Sequence, residues 1–233
     1  KIFIHDEKYA GESAASKMGR ILDSAKAQGA QAYFTSALDE IAWILNIRSN
    51  DVPCNPVATS FLYVAPSGST LFVDEAKLTP EVKAYLAEAG VATAPYASVL
   101  TALAALPAGV KVLLSGSRAS GAIAHVLEDR YVKGDSPVAL PKAIKNDVQI
   151  AGIRQAHLRD GVAMVRSLME IERTVAAGER LTEMDVADIL LRHRSKGDLY
   201  FDLSFESICG FGANGAIVHY TADETSNTVI TKG

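Results

Sequence analysis

Cysteine is scarce here: Cys54 and Cys209 are the two in 233 residues. Set so far apart, they build neither a disulfide framework nor a zinc knuckle. A reducing cytoplasm is the expected setting. No apolar run approaches the roughly 20 residues that cross a bilayer, and no signal peptide opens the chain, so no membrane is expected as a partner. There is no basic block. The 23 Lys and Arg are scattered among 27 Asp and Glu, for a net charge of −4. Nucleic acid and anionic surfaces are therefore not expected partners either. Histidine is sparse and dispersed, at His5, His125, His157, His193 and His219. No H-E-x-x-H run and no close Asp/Glu/His set occurs, so no metal site can be assembled from this chain by spacing. The chain opens on Lys1 rather than a methionine, from which an upstream part is expected.

What is present suits a globular protein of one large or two small domains. Hydrophobic residues make up 48% and charged residues 21%, enough for a sizeable core without staples. Ile2–Ile4 reads as a strand. Ala14, Met18, Ile21, Leu22 and Ala25 recur at helical spacing. Residues 32–35 form a short strand. Ser36 looks like an N-cap, with Asp39 in the first turn. Leu38, Ile41, Ala42 and Leu45 make the buried stripe of the next helix, and Trp43 lies off it, expected to be partly buried. Ser60–Val64 and Ser69–Val73 read as a hairpin around Pro66-Ser67-Gly68. Pro80 opens a helix, where its missing N–H is harmless. A strand at 91–93, a helix through Leu100 and Leu103, a strand at 110–114 and a helix at 120–127 follow. Strands interleaved with helices predict an α/β layer with a mixed sheet over residues 1–140.

Residues 141–233 read differently. Asn146 or Asp147 caps a long helix whose Ile153, His157, Gly161, Met164, Val165, Leu168, Ile171 and Val175 form one face, expected to be buried. Thr182 and Asp185 resemble a capping box. Val186, Ile189, Leu190 and His193 form the next buried face, with His157 and His193 expected as packing residues. Glu183, Asp185 and Asp188 read as capping and a solvated face. Strand-like runs then flank a glycine-rich tip between Asp202 and Tyr220. Period-two alternation would put Ile217 and His219 on one strand face, around a tight turn at Asn214-Gly215. Two packed helices followed by antiparallel strands predict an α+β unit.

Two glycine patterns are decoys. Gly116-Ser-Arg-Ala-Ser-Gly121 has Ala122 and Ile123 where a P-loop needs Lys and Ser or Thr. Gly210-Phe-Gly-Ala-Asn-Gly215 matches a dinucleotide fingerprint by letter, yet Ala216–Tyr220 after it is strand-like rather than helical.

Longer matches carry a resemblance. Ser36-Ala-Leu-Asp-Glu-Ile-Ala-Trp-Ile-Leu-Asn-Ile-Arg48, then Asp51-Val and Asn55-Pro-Val57, resembles the middle domain of long, three-domain aminopeptidase P (Xaa-Pro aminopeptidase) enzymes. Lys145-Asn146, Gly152-Ile-Arg154, Ala156-His157 and Arg159-Asp160 resemble the first helix of their pita-bread domain. Leu203-Ser-Phe-Glu-Ser-Ile208 and Asn214-Gly-Ala-Ile-Val-His-Tyr220 resemble the entry to its catalytic part. The resemblance implies a creatinase-N-terminal-like α/β domain over 1–140, then the N-terminal portion of a pita-bread domain over 141–233.

The implied reaction is hydrolysis of the bond between an N-terminal residue and a following proline. In this family two divalent ions, usually manganese, activate a water. They are held by two aspartates, a histidine and two glutamates, whose motifs are not found in this sequence. The chain alone is thus expected to bind no metal pair and to be inactive. The resemblance makes His219 a catalytic residue that contacts substrate and steadies the tetrahedral intermediate; read from the residues alone, it is a structural histidine. Arg48 and Asp51 are weaker candidates for contacting substrate, against the plainer reading of solvated loop charges. Relatives often pair through the catalytic domain, so a homodimer is allowed for. The alternative reading is a non-catalytic pita-bread relative that binds proteins or peptides, as in the large subunit of the FACT histone chaperone. Prolidase and creatinase share the fold and differ in substrate.

Overall fold

The computed structural model describes residues 1–232. The chain divides into two compact units, Lys1–Ile150 and Ala151–Gly233.

The first unit is built on alternation. In chain order it comprises β1 (Phe3–Ile4), α1 (Glu7–Ala10), α2 (Ala14–Ala27), β2 (Ala32–Thr35), α3 (Leu38–Ile44) and β3 (Ile47–Arg48). Then come β4 (Ser60–Val64), β5 (Ser69–Val73), α4 (Pro80–Glu88), β6 (Val91–Pro95), α5 (Val99–Ala104), β7 (Val112–Ser115), α6 (Gly121–Leu127), β8 (Tyr131–Gly134) and α7 (Ala139–Ala143). Six strands form a sheet in the order β6-β5-β4-β2-β7-β8. The β2–β4 and β4–β5 pairs are antiparallel, while β5–β6, β2–β7 and β7–β8 are parallel. This is the expected mixed sheet.

Because side chains alternate across a strand, each central strand serves two cores. Tyr33, Leu62, Leu71 and Leu113 point to one side, where α2, α3 and α4 contribute Ile21, Ile41, Ile44, Val82 and Leu86. Phe34, Phe72, Val112 and Leu114 point to the other, where α5 and α6 supply Val99, Leu103, Ile123 and Leu127. β2 and β7 are buried at every position, as strands covered on both faces are. Each fully buried large side chain contributes about 1.5–3 kcal/mol.

Several local expectations need correction. Ser36 does not cap α3: Ala37 occupies that position without a side-chain bond. Thr35 Oγ1 accepts from Ala37 N at 3.1 Å instead, and Ser36 Oγ donates to the Arg118 carbonyl at 2.6 Å. Trp43 is buried rather than half-buried, a member of the first core, with the Lys17 ammonium 4.5 Å from its ring centroid. The short helix α7, which carries no local pattern in the sequence, has Pro141 at its third residue, where no intrahelical N–H is required.

The helix α8 (Asp147–Ala176) runs on into the second unit. Asn146 and Gln149 cap it reciprocally: Asn146 Oδ1 accepts from Gln149 N at 2.9 Å, and Gln149 Oε1 from Asn146 N at 3.2 Å. α9 (Glu183–Arg194) returns alongside it, opened by the expected Thr182–Asp185 capping box. Leu181, Val186 and Ile189 pack with Ile171 and Val175. Glu170 on α8 pairs with Arg192 at 2.6 Å and His193 at 2.7 Å, and Asp160 with Arg194 at 2.7 Å.

The long stripe on α8 is not buried as expected. None of its members is buried: the helix buries Ala163 and Ser167, which lie off the stripe, whereas Ile153, Val165 and Leu168 are exposed. Periodicity marks a face that favours a partner; among the described residues of this unit, α9 covers only part of it. His157 is likewise exposed, its Nδ1 at 2.9 Å from the Ile153 carbonyl.

The strand pair between Asp202 and Tyr220 does not form. Residues 201–211 are irregular, and Gly212–Ala216 is one short 3-10 turn. A strand needs a ladder partner for its N–H and C=O groups, and among the described residues none lies beside this run. The positive φ values fall at Gly212 (58°) and His219 (56°), not at Asn214-Gly215. Gly210 and Gly215 instead allow close approach, since a Cβ on Gly210 would lie 3.0 Å from Gly215 Cα.

Candidate active site

The N-terminus of α9 organises the polar part of the second unit. Thr182 closes the capping box, so the next residue, Glu183, sits in the first helical turn. Its side chain does not face solvent: the residue is 1% exposed. One oxygen accepts from Phe211 N at 2.6 Å, the other from Tyr220 Oη at 2.6 Å and Thr228 N at 3.0 Å. Asn214 Nδ2 donates to both oxygens at 3.2 Å. Burial alone would raise the pKa of this carboxyl. The hydrogen bonds from Tyr220, Phe211, Thr228 and Asn214 outweigh it and bring the pKa down to about 2, because each favours the ionised form. Glu183 is thus a buried carboxylate rather than part of a solvated face. The segment it holds is tied again by backbone bonds from Glu183 N to Thr228 O and Ile230 N to Leu181 O.

His219 lies in the turn next to buried Tyr220. Its residue is exposed, its φ is +56°, and Tyr220 N donates to the Ile217 carbonyl at 3.3 Å. The same unit holds a cavity of about 420 Å³ lined by His157, Arg159, Asp160, Arg194, Tyr200 and Phe201. His219 is not among the residues that line it.

Arg48 and Asp51 belong to the first unit. Arg48 Nη1 donates to the Ala42 carbonyl at 2.8 Å and the Ile47 carbonyl at 2.9 Å. The guanidinium thereby caps carbonyls near the end of α3, and burial lowers its pKa from the ordinary value. Asp51 accepts from Thr59 N at 2.7 Å, pairs with Lys77 at 2.6 Å and takes the Ser49 hydroxyl at 3.2 Å. It is a loop organiser rather than a freely solvated charge. Arg48 and His219 fall in different units.

Two further buried charges carry no obvious mark in the sequence. Glu40 accepts from Tyr33 Oη at 2.6 Å, Thr35 Oγ1 at 2.8 Å and Ser136 Oγ at 2.7 Å. Lys17 donates to the Trp43 carbonyl at 2.8 Å and Asn46 Oδ1 at 2.6 Å. Charged residues within amphipathic helices read as solvent-facing, and only distant partners reveal otherwise.

Among the described residues, no group of three or more His, Cys, Asp or Glu is placed to hold a metal ion. No helix among them is long and apolar enough to cross a membrane.

Comparison with known proteins gives these features a family. The Creatinase/Prolidase N-terminal domain model matches residues 1–149, and the Metallopeptidase family M24 model matches residues 151–233. An aminopeptidase P2 from Arabidopsis thaliana is 38% identical over 97% of this chain and 36% of its own length. A probable Xaa-Pro aminopeptidase P from Aspergillus niger is 40% identical over 97% of this chain and 39% of its own. The crystal structure of X-prolyl aminopeptidase from Caenorhabditis elegans, described as a cytosolic enzyme with a di-nuclear active site, superimposes with a TM-score of 0.93. It is 30% identical and covers 99% of this chain and 39% of that one. The chain therefore spans well under half the length of these relatives. The fold expected from the sequence, a creatinase-like α/β domain followed by M24 sequence, holds. The chain belongs to the creatinase/prolidase N-terminal domain family, whose model matches residues 1–149, and its residues 151–233 match the Metallopeptidase family M24 model.

Proposed function

We propose that this chain works as part of a longer Xaa-Pro aminopeptidase, one that hydrolyses the bond between an N-terminal residue and proline at the second position. The observation that carries this reading is the superposition on the C. elegans X-prolyl aminopeptidase over 99% of the chain at a TM-score of 0.93. The di-nuclear centre of that enzyme implies two metal ions there; in our reading they are manganese. The described residues of this chain do not fit such a centre. The metals belong to the whole enzyme, and the setting is cytoplasmic.

Within the reading, His219 is the residue of this chain that touches substrate. An imidazole N–H can donate to an oxygen on which negative charge develops, and a donor fixed before reaction stabilises that charge without reorganisation. Exposure of His219 at a turn leaves it accessible to a peptide. Arg48 is carried as a second, weaker substrate contact, its guanidinium held in place by the Ala42 and Ile47 carbonyls. The enzyme carrying this chain is expected to release the first residue from Xaa-Pro peptides and to leave matched Xaa-Ala peptides uncut. Equal cleavage of both, or binding of peptides without turnover, would replace this reading with a broader peptidase or a binding module.

A further inference from the structure

The exposed imidazole and the buried carboxylate described above are linked by a single residue, Tyr220. His219 holds a φ of +56°. That left-handed conformation is disfavoured for a non-glycine residue, and it persists only where neighbouring structure over-determines it. The determinant lies one residue on. Tyr220 is buried, and its hydroxyl donates to Glu183 Oε2 at 2.6 Å. The other end of the turn is held by the same carboxylate, through Phe211 N at 2.6 Å and Asn214 Nδ2 at 3.2 Å. Asn214 Nδ2 also lies 3.0 Å from Tyr220 Oη, closing the ring. Both flanks of the turn that presents His219 therefore converge on one buried anion.

We infer that Glu183 is a positioning residue for His219: through Tyr220 and Asn214 it fixes the backbone from which the imidazole projects. This rests on the proposed role of His219 and adds a dependence that neither family membership nor motif supplies. A donor displaced by about 1 Å can lose two orders of magnitude in rate, so the anchor matters to chemistry as well as to folding. Glu183→Gln keeps the shape of the side chain. It replaces one of the two acceptor oxygens by an NH2 group, so that either Phe211 N, or Tyr220 Oη together with Thr228 N, loses its acceptor.

The test is a double-mutant cycle in the intact enzyme on an Xaa-Pro peptide, with kcat and KM measured separately. Glu183→Gln is expected to lower kcat at least about tenfold with KM changed less than about twofold. Added to His219→Ala it should lower kcat no further, because its effect runs through the imidazole. Losses that multiply in the double variant, or an unchanged kcat in Glu183→Gln, would overturn the inference. Should Glu183→Gln fail to fold, Tyr220→Phe removes one donor and leaves the carboxylate its others. The same non-additivity with His219→Ala is then expected, and additivity overturns it. A His219→Ala variant with wild-type kcat would instead sink the underlying reading of His219, a result distinct from either outcome for Glu183.

Discussion

Replacing Glu40 by alanine tests whether the first unit depends on a buried acid that its sequence does not advertise. Glu40 is 1% exposed and takes hydrogen bonds from Tyr33, Thr35 and Ser136, with Arg118 Nη1 3.4 Å away. These partners come from β2, the α6 approach and the segment after β8, so the carboxylate ties α3 to three places. Alanine leaves the hydroxyls of Tyr33 and Thr35 in a dry interior. Tyr33 Oη can turn only towards Ser136 Oγ, 3.4 Å away. Thr35 Oγ1 still accepts from Ala37 N but has lost the acceptor for its own proton. Each buried hydroxyl without an acceptor costs about 1–3 kcal/mol. The desolvation of the carboxylate is relieved at the same time. The net loss expected for Glu40→Ala is about 3–5 kcal/mol, the range for breaking a buried charged network from one side. Glu40→Gln retains the shape and one carbonyl acceptor, and should lose about 1–2 kcal/mol. Urea unfolding followed by fluorescence reports this directly, because Trp43 is the lone tryptophan, buried on the same helix. A loss below about 0.5 kcal/mol for Glu40→Ala, or equal losses for both variants, would refute the reasoning.

Three other outcomes follow from the same structure. Gly11 ends α1 at a φ of +71°, and a Cβ there would sit 2.6 Å from Asn146 Oδ1. Gly11→Ala should therefore destabilise the first unit by about 1–2 kcal/mol, read as a lowered urea midpoint in the Trp43 signal. Burial first, then the neighbouring Arg48 and Arg20, holds the Lys17 pKa down to about 8, with Glu12 opposing. Between pH 8 and the ordinary lysine value of about 10.4 the unfolded chain then binds more protons than the native one, so stability from this group rises with pH. Lys17→Met should flatten that rise in a series of urea midpoints. On α8, Arg192 and then His193 hold the Glu170 pKa down to about 2. Its stabilising contribution is present above the ordinary glutamate range and is lost as pH falls towards 2. Protection factors in α9, exchange rates referred to the intrinsic rate at each pH, should fall over that window in the native chain and change less in Glu170→Gln.

The parts of the fold legible in the sequence were those that local pattern dictates. The β4–β5 hairpin lies at the residues where alternation and Pro66-Ser67-Gly68 put it. Pro80 stands in the first turn of α4, and Thr182 and Asp185 form their capping box. What escaped depends on distant partners. β8 is four residues at the sheet edge, with Lys133 breaking its apolar pattern. The run from Asp202 to Tyr220 has the side chains of strands, but strand formation is a property of pairs, and no partner lies beside it among the described residues. Glu183 reads as part of a solvated face, and nothing in the sequence singles out Lys17 or Glu40, because the acceptors or donors of all three lie in other elements. For the site, the family resemblance carried by Asn214–Tyr220 singled out His219, which the residues alone give as structural; nothing local revealed that Glu183 holds that turn.

The account stands on His219 acting on substrate, and turnover at constant metal content measures that most directly. In the intact enzyme, His219→Ala should lower kcat for an Xaa-Pro peptide by about 10²–10³-fold, the loss of one preorganised donor, with the metal content of the purified protein unchanged. A wild-type kcat in that variant, or a loss of activity that tracks a loss of metal, would contradict it.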